Sequence, residues 1–211
     1  VMAAPGAMIL TKIVFPETAE PETRDNIRIS KRRTFANVFE AISNGASEGM
    51  KVAINVTAMI LALVALVAFI DWILGLGGMF CYKYIPGCSH LAFLSHLSLK
   101  LILGKIFAIF AIIIGVPLKD ASIVGALMGT KLVLNEMVAY VGLTHVADII
   151  TPKSFMLASF ALCSFGNFGS IAIQIGGIGE LAPNQKKNLA RLGLRALICG
   201  TLSCYLSAAI V

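Results

Sequence analysis

Residues 154–179 read SFMLASFALCSFGNFGSIAIQIGGIG, an uninterrupted stretch without Asp, Glu, Lys or Arg. A helix needs about 20 such residues to cross ~30 Å of hydrocarbon, so this run can span a bilayer with residues to spare. Its middle, FGNFGS, sets Gly166 and Gly169 around Asn167. Each Gly in a helix interior costs about 1 kcal/mol relative to Ala. The stretch therefore predicts a membrane helix that is broken at its centre, and with it an all-α integral membrane protein.

The rest of the chain agrees with that class. Hydrophobic residues make up 58% of it, charged residues 13%, and mean hydropathy is +0.88. A soluble domain carries about a quarter charged residues to solvate its surface. The net charge of +6 raises the question of a nucleic-acid partner. The basic residues lie in short segments beside apolar runs, the pattern of membrane orientation, so no nucleic acid is expected. The chain opens in an apolar stretch, VMAAPGAMIL, with no basic region before it. That is not a signal peptide; it reads as the tail of a segment that begins before Val1.

Segments follow from the charge pattern. Residues 1–33 read as the end of a membrane segment and a cytoplasmic connector, and 34–51 as an amphipathic helix lying in the interface. A scaffold transmembrane helix is expected at 52–74, with 52–70 free of charge, followed by an external loop at 75–98. Residues 99–140 are apolar but carry Lys100, Lys105, Lys131 and Glu136, and the uncharged run 121–130 is too short to cross. This predicts a membrane segment and a re-entrant hairpin, tolerated where irregular backbone is buried or lines a cavity. The broken helix occupies 154–180 and a last transmembrane helix 190–211. Seven Lys and Arg in 12–51 and four in 183–195, against one each in 75–98 and 141–153, place the first two regions in the cytoplasm.

Few side chains here can carry chemistry. An acidic group in an apolar segment costs roughly 2.5–3.5 kcal/mol on insertion scales, which directs attention to Glu136. It either faces a cavity or substrate, or pairs with Lys131; five residues apart, the two are poorly placed for each other on an unbroken helix. Lys131 could equally extend toward the interface. Asn167 and Ser170, at the break, could hydrogen-bond a polar solute or serve a polar contact between helices. Phe165 and Phe168 are packing or lipid-facing aromatics unless the break lines a site. Cys163, Cys199 and Cys204 read as packing residues, while Cys81 and Cys88 could pair if their loop faces an oxidising compartment. His90, His96 and His145 are placed in loops, and no zinc motif, nucleophile elbow or phosphate loop appears, so no enzyme is expected and no metal site in this chain.

Two motifs decide between these alternatives by resemblance. LMGTKLVLNEMVAY and FALCSFGNFGSIAIQIGGIGELAPNQKKNLARLGLRALICGTL, with NVFEAISNGASEGMKVAINVTAMILALVAL before them, resemble the C-terminal half of concentrative nucleoside transporters. The resemblance covers nearly the whole chain. It implies the second repeat of an inverted-repeat, trimeric nucleoside symporter embedded in membrane lipid and driven by Na+ or H+. It also implies that Glu136 matches the family's ribose-binding acid, that Asn167 and Ser170 match its amide and hydroxyl on the ribose side, and that Phe165 matches a lining aromatic. Met137 stands where the family usually has Phe, and Gly166 and Gly169 where Ala and Ser are more common. The Gly-Gln-Thr-Glu-like motif that reads the base, and the cation site beside it, have no counterpart in these residues. The competing expectation is a truncated or non-transporting membrane subunit that keeps the fold.

Overall fold

The computed structural model describes residues 3–16, 18, 20, 36–84 and 98–211. Their regular elements are all helical: α1 (Ala3–Val14), α2 (Val38–Tyr84), α3 (Leu99–Ile113), α4 (Leu118–Val133), α5 (Glu136–His145), α6 (Pro152–Leu162), α7 (Phe168–Leu181) and α8 (Lys186–Ile210), the last preceded by a 3-10 turn at Pro183–Gln185. The possible pairing of Cys81 with Cys88 and the placement of His90 and His96 lie outside the described residues.

One boundary differs from expectation. The interfacial helix, the scaffold helix and the first part of the external loop form a single 47-residue helix, α2. It starts on a reciprocal cap: the Glu40 amide donates to Asn37 Oδ1 (2.8 Å) while the Glu40 carboxylate accepts the Ala36 amide (2.7 Å). Beyond Gly75 it stays helical, because a few glycines weaken a helix without supplying another partner for its backbone groups. Leu61, Val64, Phe69, Trp72 and Met79 are each more than half exposed. The most apolar 18-residue stretch has a mean hydropathy of 2.6 and is only 6% buried. An apolar surface that continuous is foreign to water-facing monomers. The segments Val38–Phe80 and Pro183–Ile210 are both long and apolar enough to cross a membrane.

α3 and α4 make the closest helix pair. Chain reversal between them uses Gly115 at φ +100°, where a side chain would be strained. Their contact is backbone on backbone: a Cβ at Gly125 would lie 2.4 Å from the Ala108 nitrogen, and one at Gly129 would lie 2.8 Å from the Gly104 nitrogen. Small residues four apart on both helices are the membrane solution for close approach. Phe107 and Phe110 of α3 then meet Tyr205 of α8 at ring distances of 6.1 and 6.0 Å.

Hydrogen bonds give the directions of the remaining helices. Asp120, in the first turn of α4, accepts from the Thr151 amide (3.0 Å), the Thr151 hydroxyl (2.8 Å) and the Ser154 hydroxyl (2.6 Å) at the start of α6. Eleven residues further on, Lys131 meets Ala161 and Ser164 at the end of α6. The nearly constant offset means that α4 and α6 run parallel and stop at the same level. α5 then turns back along α6, where the Tyr140 hydroxyl donates to the Ser159 carbonyl (2.8 Å).

α8 runs alongside both α6 and α7. Lys186 lies beside Gly179, Gly193 beside Ile171, Thr201 beside Gly166, and the Cys204 thiol donates to the Cys163 carbonyl (3.0 Å). Each step forward along α8 is matched by a step back along α7 and then α6. α6 and α7 therefore follow one another along α8, separated by residues 163–167. Cys199 and Cys204 are buried, but Cys163, expected to pack, is exposed at the interruption. His145, expected in a loop, is the last residue of α5.

Candidate functional site

Two chain breaks face each other at the level where α4 and α6 end. In the first, Leu134 closes α4 and Asn135 caps α5, its Oδ1 accepting the Val138 amide (2.9 Å). In the second, Asn167 caps α7, its Oδ1 accepting the Ser170 amide (2.7 Å). Asparagine suits both positions because its side chain satisfies amides that a helix start leaves unpaired. The same geometry explains why the glycine-flanked Asn167 starts α7.

The breaks are joined by functional groups. Asn167 Nδ2 donates to Glu136 Oε2 at 3.0 Å, and the Ser170 hydroxyl lies 3.0 Å from Asn167 Oδ1 and also donates to the Phe165 carbonyl. Glu136 is half-buried in the first turn of α5, and Asn167 is 5% exposed. The N-termini of α5 and α7 both converge on the carboxylate, and partial positive charge at a helix N-terminus stabilises an anion there. The amides of Phe168 and Gly169, in the first turn of α7, have no acceptor among the described residues.

A cavity of about 170 Å³ opens on this line, walled by Val133, Asn135, Glu136, Phe165, Asn167, Gly169 and Ser170, and closed by Ile60, Leu63, Val64 and Val67 of α2. That volume is below the ~300–1,000 Å³ of typical ligand pockets. A second cavity of about 520 Å³, between α1, α7 and α8, reaches the same break and shares Phe165 and Ser170. A third of about 550 Å³, near Phe15 and Arg195, lies away from it.

Glu136, Asn167, Ser170 and Phe165, separate candidates in the sequence, thus border one cavity. The ion pair considered between Glu136 and Lys131 is replaced by other contacts: the Lys131 ammonium is buried and donates to the Ala161 carbonyl (3.0 Å) and the Ser164 hydroxyl (2.7 Å). It does not extend to an interface. Sequence reasoning passed over Asn135, Ser164 and the four apolar residues of α2. Asn135 had a usable signal in its position beside Glu136; the α2 residues are indistinguishable from lipid-facing ones until the fold places them. Among the described residues, no group of three or more His, Cys, Asp or Glu is placed to hold a metal ion.

The model of the family described as "Na+ dependent nucleoside transporter C-terminus" matches residues 1–211. The chain belongs to the concentrative nucleoside transporter family. It is 38% identical to nucleoside permease NupC of Helicobacter pylori over 214 residues, covering 99% of this chain and 48% of that protein. It is 42% identical to the uncharacterized transporter YutK of Bacillus subtilis over 211 residues, covering 99% of this chain and 49% of the relative. Among solved structures, a CNTnw double mutant in an outward-facing state is similar with a TM-score of 0.78 at 37% identity, over 99% of this chain and 48% of the other. CNTnw in an inward-facing substrate-bound state gives 0.64 at 35% identity, over 98% and 47%. The chain spans about half the length of these relatives and matches the C-terminal part of the family. These homologues are transporters and permeases, not enzymes.

Proposed function

We propose that this concentrative nucleoside transporter chain supplies the ribose-holding half of a cation-coupled nucleoside symporter, with Glu136, Asn167 and Ser170 as its sugar-binding groups and Phe165 beside them. The observation that carries this reading is the Glu136–Asn167–Ser170 hydrogen-bonded line across two facing helix breaks. A vicinal diol offers two donors and several lone pairs. A carboxylate takes the donors, and an amide with a neighbouring hydroxyl supplies both a donor and acceptors. The Asn167 Nδ2–Glu136 Oε2 hydrogen bond holds the two groups side by side, at a spacing that lets both address one diol.

The fold supports the mechanism in kind. In this reading α4 and α5 form a re-entrant hairpin, α6 and α7 a broken transmembrane helix, and α2 a scaffold, together the second of two inverted repeats in a homotrimer. The protein then resides as a multi-pass component of a plasma or bacterial inner membrane. Such sites lie near the bilayer midplane, where half-helix ends meet substrate. Alternating access moves the hairpin and broken helix against α2. The higher TM-score to the outward-facing relative than to the inward-facing one supports an outward-like arrangement here. The coupling cation, Na+ or H+, is assigned to the part of the transporter beyond these residues.

The test is uptake of labelled uridine and adenosine into liposomes carrying the full-length protein, under imposed sodium or proton gradients. Uptake against the nucleoside gradient is expected with one of the two cations, and Asn167→Ala should abolish most of it with the protein still folded. Absence of nucleoside uptake under both gradients refutes the proposal and favours a non-transporting subunit.

A further inference from the structure

Lys131 is the largest fully buried side chain among the described residues, at 1% exposure. A buried ammonium in an apolar surround is costly unless its donors are matched. Its partners here are oxygens where α6 ends and the interruption begins: the Ala161 carbonyl in the last turn of α6 at 3.0 Å and the Ser164 hydroxyl just beyond it at 2.7 Å.

The last four carbonyls of an α-helix have no partner within the helix. At the end of α6 each finds one. Ser159 accepts from the Tyr140 hydroxyl (2.8 Å), Phe160 from the Cys163 amide (3.2 Å) and Leu162 from the Ser164 amide (2.8 Å). Ala161 is left for Lys131. A positive charge at this pole also complements the helix dipole. A carbonyl at a half-helix C-terminus with a hydroxyl beside it is the donor set that small monovalent cations use in broken transporter helices.

We infer that the Lys131 ammonium is a tethered, non-dissociating cation that occupies a cation site at the α6–α7 break and positions Asn167 toward Glu136. The break needs a charge to hold its free oxygens. Lys131 brings that charge from α4, the helix that leads directly into Asn135 and Glu136. It thereby sets the two breaks in register. Lys131 is a positioning residue, because its contacts are to the break and not to the cavity.

The inference rests on the nucleoside reading for its binding test only. In the full-length protein, Lys131→Ala leaves a space that a small amine fits. Nucleoside affinity should fall about tenfold or more, as expected for stranding buried hydrogen-bonding groups. Methylammonium at tens of millimolar, at fixed sodium, should restore most of it, whereas choline should not. Lys131→Met, which fills the space without charge, should be as weak and should not respond. Thermal unfolding of purified Lys131→Ala should show the same selective stabilisation by methylammonium without any nucleoside. That second readout survives if the sugar site is wrong, while loss of nucleoside binding in Glu136→Gln tests the sugar site alone. Wild-type affinity in Lys131→Ala, equal response to choline, or no response to methylammonium in either assay overturns the inference. Should Lys131→Ala fail to fold, Ser164→Ala keeps the test open: it should weaken nucleoside binding several-fold with the fold intact, and unchanged binding there overturns the inference.

Discussion

Glu136→Gln tests the sugar site most sharply, because Gln keeps the size and one acceptor oxygen of Glu while it removes the charge and turns the other oxygen into an amide donor. Asn167 Nδ2, now 3.0 Å from Glu136 Oε2, can still donate to the Gln oxygen, so the two breaks should stay together. What is lost is charge assistance toward the ligand. Hydrogen bonds to charged groups contribute about 1.5–3 kcal/mol against roughly 1 kcal/mol for neutral ones. The difference, about 0.5–2 kcal/mol per hydroxyl, amounts over two hydroxyls to roughly a five- to several-hundred-fold loss in affinity. The assay is calorimetric binding to the purified full-length protein, comparing a ribonucleoside with its 2′,3′-dideoxy analogue. The wild type should discriminate strongly; Glu136→Gln should bind the ribonucleoside weakly and the dideoxy analogue almost as before, so the discrimination collapses. A mutant that stays folded and keeps the wild-type ratio refutes the assignment of Glu136 to the sugar.

Three further outcomes are expected from packing. Gly125→Ala puts a Cβ 2.4 Å from the Ala108 nitrogen, and overpacking of this kind costs about 1–3 kcal/mol; thermal unfolding in detergent should show a lowered midpoint, whereas Gly45→Ala, with nothing within 4 Å, should be neutral or slightly stabilising. Gly166→Ala places a Cβ 3.0 Å from Thr201 Oγ1 and 3.3 Å from Ser164 Oγ, so nucleoside affinity should drop and Thr201→Ala should restore it. Thr201 Oγ1 has no hydrogen-bond partner among the described residues, so Thr201→Ala alone should not destabilise; additive losses in a double-mutant binding cycle would count against the contact. Asn55→Ala removes the hydrogen bond from Nδ2 to Glu180 Oε2 (2.9 Å) that ties α2 to α7. Single-molecule distance measurements between these helices should then show a few-fold shift away from the spacing that this bond holds, as loss of roughly 1 kcal/mol implies; an unchanged distribution excludes this bond as a latch.

Much of the fold was legible because bilayers impose it locally. A charge-free run long enough to span, a Gly-Asn-Phe-Gly stretch within it and an acid within an apolar segment each have a physical cost that only certain structures relieve. The boundary of α2 was harder to read. Its amphipathic start and apolar centre have different periodicities, yet helical backbone bonding continues through both, since polar spacing reports what a face meets and not where a helix ends. The end of α2 was misread for a related reason: Gly75, Gly77 and Gly78 look like a loop but remain inside the helix.

From the stretch at 154–179, with Glu136 before it, the sequence alone determined an all-helical chain of membrane character and singled out a few polar groups within its apolar segments. Tertiary structure decided which of those groups meet. Glu136 and Asn167 are 31 residues apart and touch because α4 and α6 run parallel from the Asp120 contact and stop at one level. It also sent Lys131 away from Glu136 to the end of α6. That choice depends on carbonyls freed by a helix terminus on another segment, a demand set by packing and invisible to spacing along the chain.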